Sequence, residues 1–139
     1  MDITITTNPS DEDVADIRNG VIAHNVAHLG DVFFTEFACF TYYEDGTKSG
    51  GLTAEILGQW LSIKFLWVDD GAKGKGIGSQ LLNEAEQFAK EHHCHSSLLD
   101  TFSFQARPFY ERHGYQVKMT LHEHPFLSNE RYFLTKALK

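Results

Sequence analysis

Apolar residues along the chain change their period several times, and each change predicts an element. Ile3 and Ile5 alternate with threonines and predict a short strand, broken at Asn8-Pro9. Beyond Ser10, a helix cap followed by Asp11, Glu12 and Asp13, the residues Val14, Ile17 and Val21 recur at helical spacing and predict a buried helical face, fraying between Asn25 and Gly30. Phe33 to Tyr43 reads as a long aromatic strand, Glu44-Asp45-Gly46-Thr47 as a hairpin turn and Gly50 to Leu57 as the returning strand. Gly58 then turns into a strand from Trp60 to Val68.

In that strand Leu61, Ile63 and Phe65 alternate with Trp60, Ser62 and Lys64, and the alternation fails at Leu66-Trp67-Val68. The failure has two readings: a bulge that frees backbone groups for a ligand, or a strand end buried on both faces. A loop follows from Asp69 to Gly78, then a helix to about Lys90 with Ile77, Leu81, Leu82, Ala85, Phe88 and Ala89 on one face. Ser97-Leu98-Leu99 is a short buried strand, parallel to the previous one if the helix is a crossover. Pro108 fits only a first helical turn, so a second helix is predicted from Phe104 or Gln105 to a stop at Gly114, with Ala106, Phe109, Tyr110 and His113 on one face. Strands at Gln116 to Leu121 and Arg131 to Leu138 complete the chain, separated by a loop opening with His122-Glu123-His124-Pro125. Several strands thus follow one another without helical crossovers before the glycine loop, which argues against a dinucleotide-binding fold.

The length of 139 residues suits one domain spanning 1–139, and 42% hydrophobic residues can fill a core without disulfides or metal. Cys39 and Cys94 read as reduced thiols of a cytoplasmic protein, and the charged Met1-Asp2 start is unlike a signal peptide. The net charge of −7 argues against nucleic acid and favours a cationic substrate. No apolar run reaches the length of a membrane span. His92-His93-Cys94-His95 carries metal-ligand types, but consecutive helical residues point in different directions and histidines suit a helix C-terminus, so no metal is expected.

The glycine loop carries the chemistry. Gly71, Gly74, Gly76 and Gly78 let a ligand approach main-chain N–H groups, the helix start offers unpaired donors, and Lys73 and Lys75 add positive charge. Together they predict an anion cradle suited to phosphate. The nucleotide P-loop fails because Gly76-Ile77-Gly78 stands where Gly-Lys-Ser/Thr is needed, and Gly74-x-Gly76-x-Gly78 is one residue short of G-x-G-x-x-G. Lys73 to Gly78 resembles instead the coenzyme A pyrophosphate loop of the GNAT N-acetyltransferase superfamily, Q/R-x-x-G-x-G/A, with Lys73 in place of Arg or Gln. Leu66-Trp67-Val68 before it and Leu81-Leu82 after it extend the match, while Asp70 stands where the family often has Pro. Ser103 to Tyr115 resembles the second signature of the superfamily, N-x-x-A-…-F-Y-x-x-x-G-F, with Ser103 for Asn, then Ala106, Phe109-Tyr110 and Gly114-Tyr115. The run Leu99 to Ala106 is similar to a group of small bacterial acetyltransferases.

The resemblance implies an α/β fold: a mixed, mostly antiparallel sheet of about six to seven strands, splayed at a central parallel pair and flanked by helices. It implies acetyl-CoA as cofactor, bound by Leu66, Trp67, Val68, Lys73, Gly74, Lys75, Gly76, Ile77, Gly78, Ser79, Ser103 and Tyr110. It assigns Tyr110 as the acid that protonates the departing thiolate, and a backbone N–H at or near Val68 as the donor to the thioester oxygen. It places His24, His28, Leu29 and Asp31 along the acceptor wall, with the loop from His122 to Asn129 nearby. Glu36 is a further candidate for the acceptor. The base stays open between Glu55, Glu36 and Asp69, with Glu55 put forward; Lys64 serves only if buried. The expected reaction is direct acetyl transfer in a ternary complex to a primary amine of a small cationic acceptor, such as an aminoglycoside-like or streptothricin-like antibiotic, a polyamine or an amino acid. A non-catalytic acyl-CoA sensor is the alternative from another class, and a nucleotide-binding module the third. Homodimers are common in the superfamily, and the aromatic strand Phe33 to Tyr43 could pair or pack across one; a monomer is also consistent with the residues.

Overall fold

A computed structural model describes residues 1–139, which cluster into two compact units, Met1–Val32 and Phe33–Lys139. The first unit holds one helix, α1, at Asp11–Leu29. The Ser10 side chain caps it by accepting the Asp13 N–H at 3.0 Å, and Gly30, at φ 64°, ends it. The last turns do not fray as predicted; Gly30 N–H bonds the Val26 carbonyl at 3.0 Å. The strand predicted at Ile3 and Ile5 is not formed, and both side chains are exposed. Alternation marks a strand only where a neighbour completes the ladder, and none pairs with this segment. Val14, Ile17 and Val21 are likewise exposed rather than buried. At 100° per residue Arg18 and Asn25 fall beside Val14 and Val21, so the apolar stripe is interrupted.

The second unit is built on a six-stranded sheet in the order β1-β2-β3-β4-β6-β5. The strands are β1 (Phe34–Tyr42), β2 (Lys48–Leu57), β3 (Trp60–Val68), β4 (Ser96–Phe102), β5 (Gln116–His122) and β6 (Glu130–Ala137). Every neighbouring pair is antiparallel except β3 and β4, which are parallel and joined by the crossover helix α2 (Ile77–Glu91). Leu81, Leu82, Ala85 and Ala89 of α2 cover Leu52, Ala54, Ile56, Leu61 and Ile63 of the sheet. A short helix α3 (Arg107–Arg112) carries Pro108 in its first turn. It starts later than predicted because Gln105 is used in a turn, its Oε1 accepting the Phe102 N–H at 2.8 Å. No helix is long and apolar enough to cross a membrane.

One polar cluster crosses the core. Glu86 of α2 is buried, and its carboxylate accepts from the Tyr115 hydroxyl at 2.9 Å and from Lys136 Nζ at 2.7 Å. Ser97 of β4 lies 2.7 Å from the same Tyr115 hydroxyl. A carboxylate this deep is tolerable because its lone pairs are filled by a cation and a hydroxyl.

A bulge does occur in β3, but it lies ahead of Leu66. Thr53 faces Phe65 and Ala54 faces Ile63, leaving Lys64 as the extra residue. One inserted residue reverses the pleat. Phe65, expected to point inward with Leu61 and Ile63, is therefore 76% exposed. The same reversal accounts for the apolar run after it: Leu66 and Val68 turn inward while Trp67 is 51% exposed.

Candidate active site

The central pair of strands is joined over only three residues, Trp60↔Ser96, Leu61↔Ser97 and Ser62↔Leu98. Past Ser62 the two strands part, β3 staying with β2 and β4 with β6. The gap holds a cavity of about 180 Å³ between Ile63 to Leu66 on one side and Leu99 to Phe102 on the other, closed by Gln105, Ala106 and Tyr110. Asp69 N–H bonds the Ser49 carbonyl of β2 at 2.8 Å. Because amides alternate along a strand, those of Val68 and Leu66 face away from β2 and into the gap, where no ladder partner exists.

A second cavity, of about 560 Å³, opens beside the first over the start of α2. Its walls are Leu66, Val68, Lys73, Gly74, Gly76, Ile77, Gly78, Ser79, Phe109 and Arg112, with Ala72, Ala106 and Tyr110. Gly74 and Gly76 adopt φ of 80° and 77°, a conformation that side chains disfavour, and this turns their backbone toward the cavity rim. No side chain caps α2, and its first backbone bond runs from Gln80 N–H to the Gly76 carbonyl at 3.0 Å. The amides of Ile77, Gly78 and Ser79 are thus left to a ligand, at the positive end of the helix. An anion such as a pyrophosphate fits this donor set. At Gly78 an added Cβ would sit 3.3 Å from Phe109 Cζ, so the glycine lets α3 seat close against the helix start. The Ser79 hydroxyl and His113 Nε2 add a contact of 2.8 Å between the same two elements.

The two cavities share Leu66, Ala106 and Tyr110. Tyr110 is buried, and its hydroxyl is pushed up to about 12, first by burial and then by the negative charge of Asp100. It stays protonated at neutral pH. A third cavity, of about 490 Å³, is lined by Glu36, Phe37, Ala38, Thr53, Ala54, Glu55, Lys64 and Phe65. It shares Lys64 and Phe65, the bulge residues, with the gap. Glu36 and Glu55 are direct cross-strand partners, and Lys64 Nζ lies 3.2 Å from Glu55. Like charges placed opposite one another repel, and the lysine offsets part of that.

Most residues expected around the cradle converge there, and several do not. Trp67 turns its ring to the opposite face, Lys75 lines none of the three cavities, and Ser103 is a staple: its hydroxyl accepts the Glu130 N–H at 3.0 Å. Lys73 is paired with Asp70 at 2.8 Å. Asp69 accepts from the Tyr43 hydroxyl at 2.6 Å, which pins the loop to the end of β1. His28 and Leu29 end α1, Asp31 follows its glycine cap, and all three are exposed in the first unit, as is His24 within α1. His92 Nδ1 lies 2.9 Å from the Phe88 carbonyl, and Cys94 is buried in the core. Asp100 and Arg112 line the cavities without having been singled out from the sequence. For Asp100 the available signal was its place at the end of a strand parallel to the one that leads into the cradle.

A family model described as the acetyltransferase (GNAT) family matches residues 10–115. The chain belongs to that acetyltransferase family. A blasticidin-S acetyltransferase of Streptomyces morookaense is 40% identical over 90 residues, which cover 64% of this chain and 66% of that protein. The chain thus spans just under two thirds of the length of that relative. An acetyltransferase of Agrobacterium fabrum is 31% identical over 109 residues, 74% of this chain and 80% of the relative. The crystal structure of an acetyltransferase from Bacillus cereus superposes with a TM-score of 0.81 at 36% identity, covering 96% of this chain and 97% of that one. The GNAT family is the one to which the two sequence signatures of this chain pointed.

Proposed function

We propose that this GNAT protein transfers an acetyl group from acetyl-CoA to a primary amine of a small cationic acceptor, directly and in a ternary complex. The observation that carries this reading is the row of three cavities: the anion cradle meets the strand gap at Leu66 and Tyr110, and the gap meets the hollow of Glu36 and Glu55 at the bulge. The cofactor supplies an acetyl thioester.

The residues present fit such a partner. Lys73, the amides of Ile77, Gly78 and Ser79, and the turns at Gly74 and Gly76 would hold the pyrophosphate; charge-assisted hydrogen bonds of this kind contribute about 1.5–3 kcal/mol each. Lys73 gives up its Asp70 contact to do so. Leu66 and Val68 would pair their free amides with the rest of the cofactor. The Leu66 amide, at the junction of two cavities, is the best placed to stabilise negative charge on the thioester oxygen. Tyr110, held protonated by burial, gives its proton to the departing thiolate. Glu36 and Glu55 hold the body of a cationic acceptor, and Glu55 is the base nearest in kind to the expectation. Holding amine and thioester in line supplies much of the rate. The similarity to a blasticidin-S acetyltransferase favours a cationic antibiotic among the acceptors.

Thermal unfolding with acetyl-CoA is the first test. At 100-fold above Kd it should raise stability by about 2.7 kcal/mol, with the shift reduced in Lys73→Ala and retained in Lys75→Ala. Thiol release is then followed with blasticidin S, streptothricin, an aminoglycoside and spermidine. Loss of turnover in Tyr110→Phe with cofactor binding intact supports a transferase. Cofactor binding without turnover of any amine would leave an acyl-CoA sensor, and no shift at saturation would remove both readings.

A further inference from the structure

We propose that Asp100 is the carboxylate that receives the ammonium group of the acceptor, with Arg131 holding it in place. This rests on the transferase reading above and names the group that selects a cationic amine. Of the residues lining the strand gap only Lys64 and Asp100 carry charge. Lys64 repels an ammonium and is engaged with Glu55 at 3.2 Å. A positive charge entering a partly dry cavity needs a counter-charge there. Asp100 is the one acidic side chain lining the same cavity as Tyr110.

Its geometry suits that task. Asp100 Oδ2 accepts from Arg131 Nε at 2.8 Å, a salt bridge that offsets part of its charge while Oδ1 makes no hydrogen bond within the chain. The Arg131 guanidinium lies over the rings of Phe102 at 5.5 Å and Phe133 at 4.9 Å, so the cation that orients Asp100 is itself held. The competing carboxylates are placed differently. Asp69 is occupied by the Tyr43 hydroxyl, while Glu36 and Glu55 line the outer hollow and not the gap. Glu36 binds the body of the acceptor and Asp100 its ammonium group, while Glu55, beside Lys64 at the bulge that the two cavities share, receives through water the proton the amine must lose before it attacks.

The test compares acceptors that differ in charge. Blasticidin S, spermidine and benzylamine are cationic at neutral pH, and aniline is not. In Asp100→Asn, kcat/KM for the cationic acceptors should fall at least tenfold more than that for aniline, mostly through KM, the change with aniline reporting only the altered charge beside Tyr110. Binding of benzylammonium to the free protein, followed by NMR shifts, should weaken in parallel, and stabilisation by acetyl-CoA should be unchanged. Arg131→Lys keeps a cation beside Asp100 without the planar fork, and should give an intermediate rise in KM; it serves also if Asp100→Asn folds poorly. Equal losses for charged and neutral amines, or none, would overturn the proposal and leave the transferase reading standing. A wild type that binds acetyl-CoA but acetylates none of these amines would remove both.

Discussion

The Ser79 hydroxyl lies 2.8 Å from His113 Nε2, so the first turn of α2 and the end of α3 are tied together at the cradle. One element leaves its first amides unpaired and the other carries Tyr110. Ser79→Ala and His113→Ala should each destabilise the fold by about 1 kcal/mol, the ordinary value of such a hydrogen bond. Their effects should not add in a double-mutant cycle read by urea unfolding. Both should also weaken acetyl-CoA binding, since each loosens the seat of α3.

The pair of Lys136 and Glu86 should be far more sensitive. The Glu86 side chain is 5% exposed, and Lys136 is the cation that partners it. Lys136→Met leaves a buried carboxylate with the Tyr115 hydroxyl alone, and should cost about 3 kcal/mol in urea unfolding. Lys73→Ala, which breaks an exposed pair, should change stability little.

Asp70 holds Lys73 at 2.8 Å and would compete for it with the phosphate of the proposed cofactor. Asp70→Asn should therefore tighten acetyl-CoA severalfold, and the gain should shrink as salt is added. Calorimetric titration at two ionic strengths checks both.

Two tyrosines shape the alkaline response. Burial raises Tyr110 to about 12 and raises Tyr115 further, with Glu86 adding to the rise in Tyr115 and Ser97 opposing it. The unfolded chain ionises near 10, so their contribution is complete below pH 10 and is lost as pH climbs toward the folded values. Stability should fall by about 1.4 kcal/mol per pH unit for each group over that window. Phenolate absorbance should show neither group titrating before the alkaline unfolding transition. Tyr110→Phe should abolish one share of the slope.

Much of the second unit was legible because its signals are local. The strand Trp60 to Val68 has the bounds read from its residues, and α2 begins among the glycines as expected. The position of the bulge was not legible, since the sequence shows only that the alternation changes phase. Which residue is extra depends on how Thr53 and Ala54 align across the ladder. The exposure of Val14, Ile17 and Val21 was missed for a related reason: periodicity names a face without showing what else shares it. Asp100 went unnoticed because its place on a cavity wall comes from the parting of β3 and β4, a relation between residues far apart in the chain.

The parallel seam has a mechanical consequence. Two antiparallel halves, β1-β2-β3 and β4-β6-β5, meet over three residue pairs. The groups proposed to hold the reactants are divided between them, with the amides of Leu66 and Val68 on one half and Asp100 on the other. The width of the gap between them is therefore set by the angle at which the two halves leave that short seam. The ion pair from Glu86 on α2, which packs on β2 and β3, to Lys136 on β6 links the two halves behind the seam. Ser62 and Leu98, the last pair of the seam, are thus the residues that fix where the gap begins.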